Sequence, residues 1–313
     1  MFVAASAGMS SEEEQSKSVQ IKAPLGAEFY LSQNVSAGTF IKRYSQDPYV
    51  ATELFVYPYY QYGPFLGDRA IKVQAELSTI FAWMSENNPF PGQFTKKFGL
   101  RDAKIRAEFK NAIYSSSLGL SFSPGLKAEL PMSKSSRTSN RVLGLGGFFT
   151  AAWTNWGFFV SYKPVLVGYI HSVPYKSADC AQASAPHDVL SDGSCKLAER
   201  QSMALLKNTV SIGYAHEAHT IKLALRVYHA FLRAKGQNEP VKKGPESGIL
   251  EQTLGIVEYA YQLPVAIPTT LMLGVSGEQS YYDARHHFRI PFFDFTEPGK
   301  NVTEAYLAVN MAF

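Results

Sequence analysis

The stretch NVTEAYLAVNMAF, residues 301–313, decides how the rest of the chain is read. Ala305, Leu307, Val309, Met311 and Phe313 fall on one parity, and Glu304, Tyr306, Ala308, Asn310 and Ala312 on the other. A strand sends alternate side chains to opposite faces, so this segment predicts a strand with one apolar face and one mixed, more polar face. A soluble β-protein ending in a strand would read the same way. The alternation therefore has to be sought along the whole chain.

It recurs. Over 71–83, Ile71, Val73, Ala75, Leu77, Thr79, Phe81 and Trp83 oppose Lys72, Gln74, Glu76 and Ser78. Over 103–113, Ala103, Ile105, Ala107 and Phe109 oppose Lys104, Arg106, Glu108 and Lys110. Over 118–130, Leu118, Leu120, Phe122, Leu126, Ala128 and Leu130 oppose Gly119, Ser121, Ser123, Lys127 and Glu129. Over 221–231, Ile221, Leu223, Leu225 and Val227 oppose Lys222, Ala224 and Arg226. The charges sit mid-strand. A sandwich with one wet face shares that pattern, so connection lengths carry more weight. About twelve strands are expected, near 25–36, 49–62, 70–84, 101–114, 118–132, 140–153, 157–171, 201–215, 219–233, 249–263, 269–281 and 301–313. Connections at one end are short, at 115–117, 154–156, 216–218 and 264–268. Those at the other end are mostly long, at 85–100, 172–200, 234–248 and 282–300. Two segments fit less well: 49–62 is apolar on both parities and contains Pro58, and 255–261 calls for a register shift, such as a bulge, to turn Glu258 inward.

The terminal strand, the alternation and the short-turn, long-loop asymmetry together resemble Gram-negative outer-membrane β-barrels. In that class the last strand commonly ends in Phe with apolar residues at every second position upstream. The resemblance implies that Leu307, Val309, Met311 and Phe313 form the signal read by the assembly machinery. It implies an all-β fold, a transmembrane antiparallel up-and-down barrel of about twelve strands spanning 25–313 as one domain, embedded in outer-membrane lipid. An even strand count places both termini on the periplasmic side. Residues 1–24 are expected to be a signal-peptide remnant, with Ala5-Ser6-Ala7 matching the small-residue pattern before a cleavage site, followed by a polar, charged segment.

Composition is compatible with this. Mean hydropathy is −0.12, and no window holds the ~18 consecutive apolar residues of a membrane helix. A membrane barrel has half of each strand facing a polar lumen, so neither fact argues against it. The 18 Tyr and 21 Phe suit aromatic girdles at two interfaces, although a soluble barrel is also aromatic-rich. Net charge is only +4 and no basic run interleaves with stacking aromatics, so no nucleic-acid partner is expected. Cys180 and Cys195 lie in the longest connection, where an oxidising exterior favours a disulfide between them.

Inward parity gives a charge map of the lumen. Lys104, Arg106, Lys110, Lys127, Lys163, Lys222 and Arg226, on the fourth to ninth strands, make a basic wall. Glu53, Glu76, Glu258, Glu278 and Glu304, with Glu28 a further candidate, make an acidic wall on the tenth to twelfth and first to third. Lys72, Glu108 and Glu129 interrupt the pattern. Opposed charge across a pore filters solutes; meeting midway, the same charges would fill a narrow barrel with salt bridges. The expected function is a porin-like channel for passive diffusion of small polar or anionic solutes. The alternatives are a side-chain-filled structural or adhesive barrel, or a component of an envelope assembly reached through the extracellular loops. An enzyme is not expected. Lipid-modifying barrels such as phospholipase A place a Ser-His-Asn set on the lipid-facing side, whereas His229 has outward parity and no Ser beside it. Asp283, His286 and His287 offer only a weak metal signal, because adjacent residues of an extended chain point apart, and no metal or cofactor is expected. Gly144-Leu145-Gly146-Gly147 lies in an alternating strand with no helix after it, so it is not a phosphate loop. The 281–295 connection carries Phe288, Phe292, Phe293 and Phe295, which suit a constriction or a contact surface.

Overall fold

The computed structural model describes residues 25–36, 49–63, 69–85, 97–173, 176–179, 194–197, 201–233, 248–280 and 302–313. Twelve antiparallel strands close into a barrel: β1 (Leu25–Ser36), β2 (Tyr49–Tyr62), β3 (Ala70–Ser85), β5 (Ala103–Lys110), β7 (Leu120–Leu130), β8 (Arg141–Asn155), β9 (Phe158–His171), β12 (Ser202–His216), β13 (His219–Leu232), β14 (Ile249–Leu263), β15 (Thr269–Ser280) and β16 (Val302–Ala312). Short extras complete the set. β4 (Lys97–Leu100) pairs with β3 beyond the end of β5, β6 (Ile113–Ser115) pairs with β7, and β10 (Lys176–Asp179) pairs with β11 (Ser194–Leu197). Among the described residues one helix, α1 (Lys134–Thr138), lies between β7 and β8.

Each barrel strand pairs with its sequence neighbours, and β1 pairs with β16 to close the ring. In hydrocarbon no water replaces a lost backbone partner, so a spanning sheet must have no edge. The seam meets that requirement down to its last residue. Phe313 N–H donates to Ala27 O at 2.8 Å and Ala27 N–H to Phe313 O at 3.1 Å. The Phe313 ring packs edge-on against Phe29 of β1, centroids 5.5 Å apart.

Burial is inverted relative to a water-soluble fold. The buried side chains include Lys72 (6% exposed), Gln74 (3%), Glu76 (4%) and Glu258 (6%), while Leu126 (70%), Ile221 (59%), Leu273 (59%) and Leu307 (57%) lie open on the outer wall. Polar inside and apolar outside is what a lipid-embedded barrel requires. Aromatic residues crowd the outer rims. Trp156, Phe158, Tyr214, Tyr259 and Tyr62 ring the short-turn end, and Trp83, Phe98 and Phe231 lie toward the other. The β8–β9 connection is only two residues, Trp156 (φ 50°) and Gly157 (φ 81°), both left-handed as the tightest hairpin turns demand.

Three details differ from the sequence reading. The 101–114 strand is broken into β5 and β6, with β4 preceding it, and the turn before β7 runs over 116–119, which leaves Leu118 in the turn. No bulge turns Glu258 inward: β14 pairs without a register shift against both β13 and β15. Leu254 and Ile256 share its face, which is why the parity looked wrong. Similarly, β2 is apolar on both parities because Phe55, Tyr57 and Tyr59 line the lumen beside Glu53 and Gln61. The segment 1–24, Cys180, the side chain of Cys195, and Asp283, His286, His287 with the phenylalanines of 281–295 lie outside the described residues.

Candidate functional site in the charged lumen

Strand parity carries the charged residues inward, and the register then decides which of them meet. On the β3–β5–β7–β8 sector they neutralise one another. Glu76 of β3 lies opposite Lys104 and accepts from both Lys104 and Arg106 of β5. Lys127 and Glu129 pair along β7 at 2.5 Å. Arg141, at the start of β8, bonds Asp102 at 3.2 Å, reaches Glu129 at 3.9 Å and stacks 3.7 Å over the Tyr169 ring. Lys72 crosses the face of Tyr59, 4.2 Å from its centroid, to reach Glu28 on β1 at 2.6 Å. Arg101 pairs with Glu53. On the opposite wall Lys222 meets Glu258 at 3.0 Å, and the Tyr306 hydroxyl donates to the same carboxylate at 2.6 Å. Gly274 makes room for that ring, because a Cβ there would collide with Tyr306.

The remaining inward charges are arranged differently. Lys110 donates to Gln61 Oε1 at 3.3 Å near the short-turn end. Lys163 of β9 lies over the Phe148 ring, 4.7 Å from its centroid. Arg226 of β13 donates through Nε to Thr209 Oγ1 at 3.3 Å and through a terminal nitrogen to Tyr228 Oη at 3.1 Å. Register places Lys163, Thr209 and Arg226 in one cross-strand row over β9, β12 and β13, with Lys207 one inward position along β12. Lys207 escaped the sequence map. Its strand is apolar on both parities at 203–206, which hides the alternation, but parity counted back from Val210, Ile212 and Tyr214 would have found it. Glu278 and Glu304 sit on β15 and β16, and among the described residues neither makes an ion pair. The basic and acidic walls expected from parity are thus largely interleaved into pairs, while Lys207, Arg226, Glu278 and Glu304 make no ion pair among the described residues.

At the long-connection rim a second polar cluster ties three strands together. Asp102 accepts from the Ser133 N–H at 2.8 Å and from the Ser136 hydroxyl, anchoring α1, whose cap Ser133 accepts from Ser136 N–H at 3.1 Å. Burial alone would raise the Asp102 carboxyl. The hydrogen bonds from Ser136 and Ser133, with the charge of Arg141, outweigh it and hold the carboxyl below its ordinary value. His171 lies between two backbone carbonyls, Nδ1 2.8 Å from Ser139 O and Nε2 2.9 Å from Ser202 O. Gln201 Nε2 also donates to Ser139 O, at 2.7 Å. On the outer wall His229 faces Glu251 at 3.9 Å, with no serine nucleophile beside it among the described residues. No group of three or more metal-ligating side chains occurs among the described residues.

No protein-family model matches the chain, and no curated protein matches it significantly. Solved structures do. An outer membrane channel from Pseudomonas putida F1 aligns over 96% of this chain and 100% of its own, with a TM-score of 0.59 at 11% identity. The NanC porin (TM-score 0.42, 8% identity, 90% of this chain and 98% of that one) is more distant. So is LpxR from Salmonella typhimurium (0.38, 11%, 90% and 99%). The chain has the fold of Gram-negative outer-membrane β-barrels, in a closed twelve-strand form. That likeness concerns the fold alone.

Proposed function

We propose that this protein is a channel of the bacterial outer membrane for passive diffusion of small polar solutes, favouring anions, with both termini periplasmic. The observation that carries this reading is the cationic patch of Lys207 and Arg226, flanked by Lys163, on a lumen wall whose other cations are mostly paired with carboxylates. Twelve strands at ~4.8 Å spacing and ~40° tilt enclose a backbone cylinder on the order of 25 Å across. Side chains from opposite walls line the space inside it, and in this reading that space admits a small solute. Charge on such walls selects what passes. Outer-membrane lipid covers the apolar exterior, and the reaction chemistry of an enzyme has no assembled site in this reading. A disulfide between Cys180 and Cys195, stapling the longest connection, belongs to the same proposal and is tested by mass measurement with and without reductant.

Single-channel recording in planar bilayers is the direct test. An open conductance with anions more permeant than cations is expected, and neutralising Arg226 should shift the reversal potential toward cations. Silence from correctly folded protein would favour the second reading, a structural barrel filled by the buried pairs around Glu76, Glu129 and Glu258. In that case function would lie in loops that contact envelope partners.

A further inference from the structure

We infer that Lys207, Arg226 and Thr209 form a discrete binding subsite for an oxyanion group, a carboxylate or phosphate carried by a small solute. The inference rests on the channel reading for its biological sense but not for its chemistry. The charges that act most strongly on Lys207 are those of Arg226, Lys127, Arg106 and Lys104, all cationic. Of these, Lys127 and Arg106 are already bound to Glu129 and Glu76, and Lys104 to Glu76. The carboxylates nearest the patch lie elsewhere. Glu108 acts on Lys163 from β5. Glu278 shares a row with Arg226 and feels its charge, but it stands two strands away across Leu254, ~10 Å along the sheet, and makes no ion pair with it. Like charges held together against a wall of Val165, Phe148 and Leu205 repel, and a half-buried wall screens them poorly. A bound anion removes that repulsion.

The geometry also prepares a receptor. Arg226 is held at two points, by Thr209 on the neighbouring strand and by Tyr228 two residues along its own, with the remaining N–H groups of its fork still to donate. A guanidinium fixed this way loses little freedom on binding and presents the planar pair of donors that carboxylate and phosphate accept. Lys207 lies diagonally across the face from Arg226, with side chains ~7 Å apart at their bases, a span one oxyanion bridges. The Lys72–Glu28 and Lys222–Glu258 sites offer nothing similar, because protein carboxylates occupy those cations.

The test uses the full chain, folded in detergent, with sodium acetate and inorganic phosphate as separate probes, followed by line broadening of the probe's own NMR signal. Heat-modifiable gel migration verifies folding of each variant. The wild type should broaden at least one probe saturably; acetate alone identifies a carboxylate subsite, phosphate alone a phosphate subsite, and both a general oxyanion site. Lys207→Gln and Arg226→Gln should each weaken binding about tenfold, Lys207→Arg should retain it, and Lys110→Gln, which removes an equal charge elsewhere in the lumen, should change it less than twofold. Should Arg226→Gln not fold, the Lys207 pair carries the comparison. Equal loss in all three glutamine variants would replace the subsite with a lumen-wide field, and absence of saturable broadening by folded wild type would remove it. The same samples in bilayers separate the two proposals. The expected binding pattern in a silent barrel keeps the subsite and rejects the channel, whereas conductance without binding does the reverse.

Discussion

Two sectors of the lumen carry the same kind of residue and solve opposite problems. On β3, β5 and β7 most inward cations find a carboxylate: Glu76 takes Lys104 and Arg106, Glu129 takes Lys127, and Lys72 reaches Glu28. On β9, β12 and β13 the cations Lys207 and Arg226 meet each other. The first sector is wall construction, because its carboxylates, Glu76 and Glu129, are more than nine-tenths buried and committed to these cations, which leaves the pairs little to offer a solute. The second is available. Inward parity alone therefore says where a charge points and nothing about whether it is occupied.

The sharpest way to break this contrast is Glu76→Gln. It leaves Lys104 and Arg106 against a neutral amide in a buried position, and removing one partner of such a cluster costs about 3–5 kcal/mol. The denaturant midpoint of the barrel should fall steeply, while Arg226→Gln, which relieves repulsion, should leave the midpoint unchanged or raised. Equal losses in the two variants would erase the distinction.

A smaller effect is expected at Gly274→Ala. The new methyl group displaces the Tyr306 ring and its hydrogen bond to Glu258, at a cost of about 1–2 kcal/mol. Lys222 keeps its carboxylate, so ion selectivity should stay constant while the unfolding temperature drops. A shift in selectivity would mean that Tyr306 itself lines the conducting path.

Acid probes the rim. A carboxyl held below its ordinary value in the folded state stabilises that state fully above the unfolded value, ~3.9 for Asp. The contribution disappears as pH falls through the lower folded value of Asp102. Amide exchange in α1, corrected for intrinsic rate, should be constant from pH 7 to 5 and accelerate below about 4. Asp102→Asn should show the faster exchange already at pH 7. Protection that is flat to pH 2 would show that Asp102 does not anchor the helix.

The least response is predicted for His229→Ala, within about 0.5 kcal/mol in stability and without change in conductance. His229 lies on the outer wall opposite Glu251 at 3.9 Å, remote from the bore. A measurable loss of any activity on lipid would reopen the enzymatic reading.

How much was legible follows from what strand geometry transmits. A period of two is written directly in the letters. Hence 49–62, 249–263 and 25–36 coincide with the observed strand limits, and Glu304, Tyr306 and Asn310 lie inward while Leu307, Met311 and Phe313 face out. Alternation failed only where bulky apolar residues also line the lumen. Phe55, Tyr57 and Tyr59 blurred β2, Leu254 and Ile256 suggested a bulge that β14 does not have, and Leu205 beside Leu206 concealed Lys207. Those residues turn inward because a barrel of this girth needs bulk inside as well as charge.

The sequence by itself determined the class of fold and a count of about twelve strands, because these depend on local periodicity and on turn lengths. Only the tertiary structure decided which charges are spent on one another. Ion pairing depends on register between strands far apart in the chain: Lys72 and Glu28 are separated by all of β2, and Lys222 finds Glu258 across the 233–248 connection. A shift of two residues in one strand would keep its side chains on their faces and rearrange the pairs it makes with its neighbours, and it is that register which leaves Lys207 and Arg226 without a carboxylate directly opposite either of them.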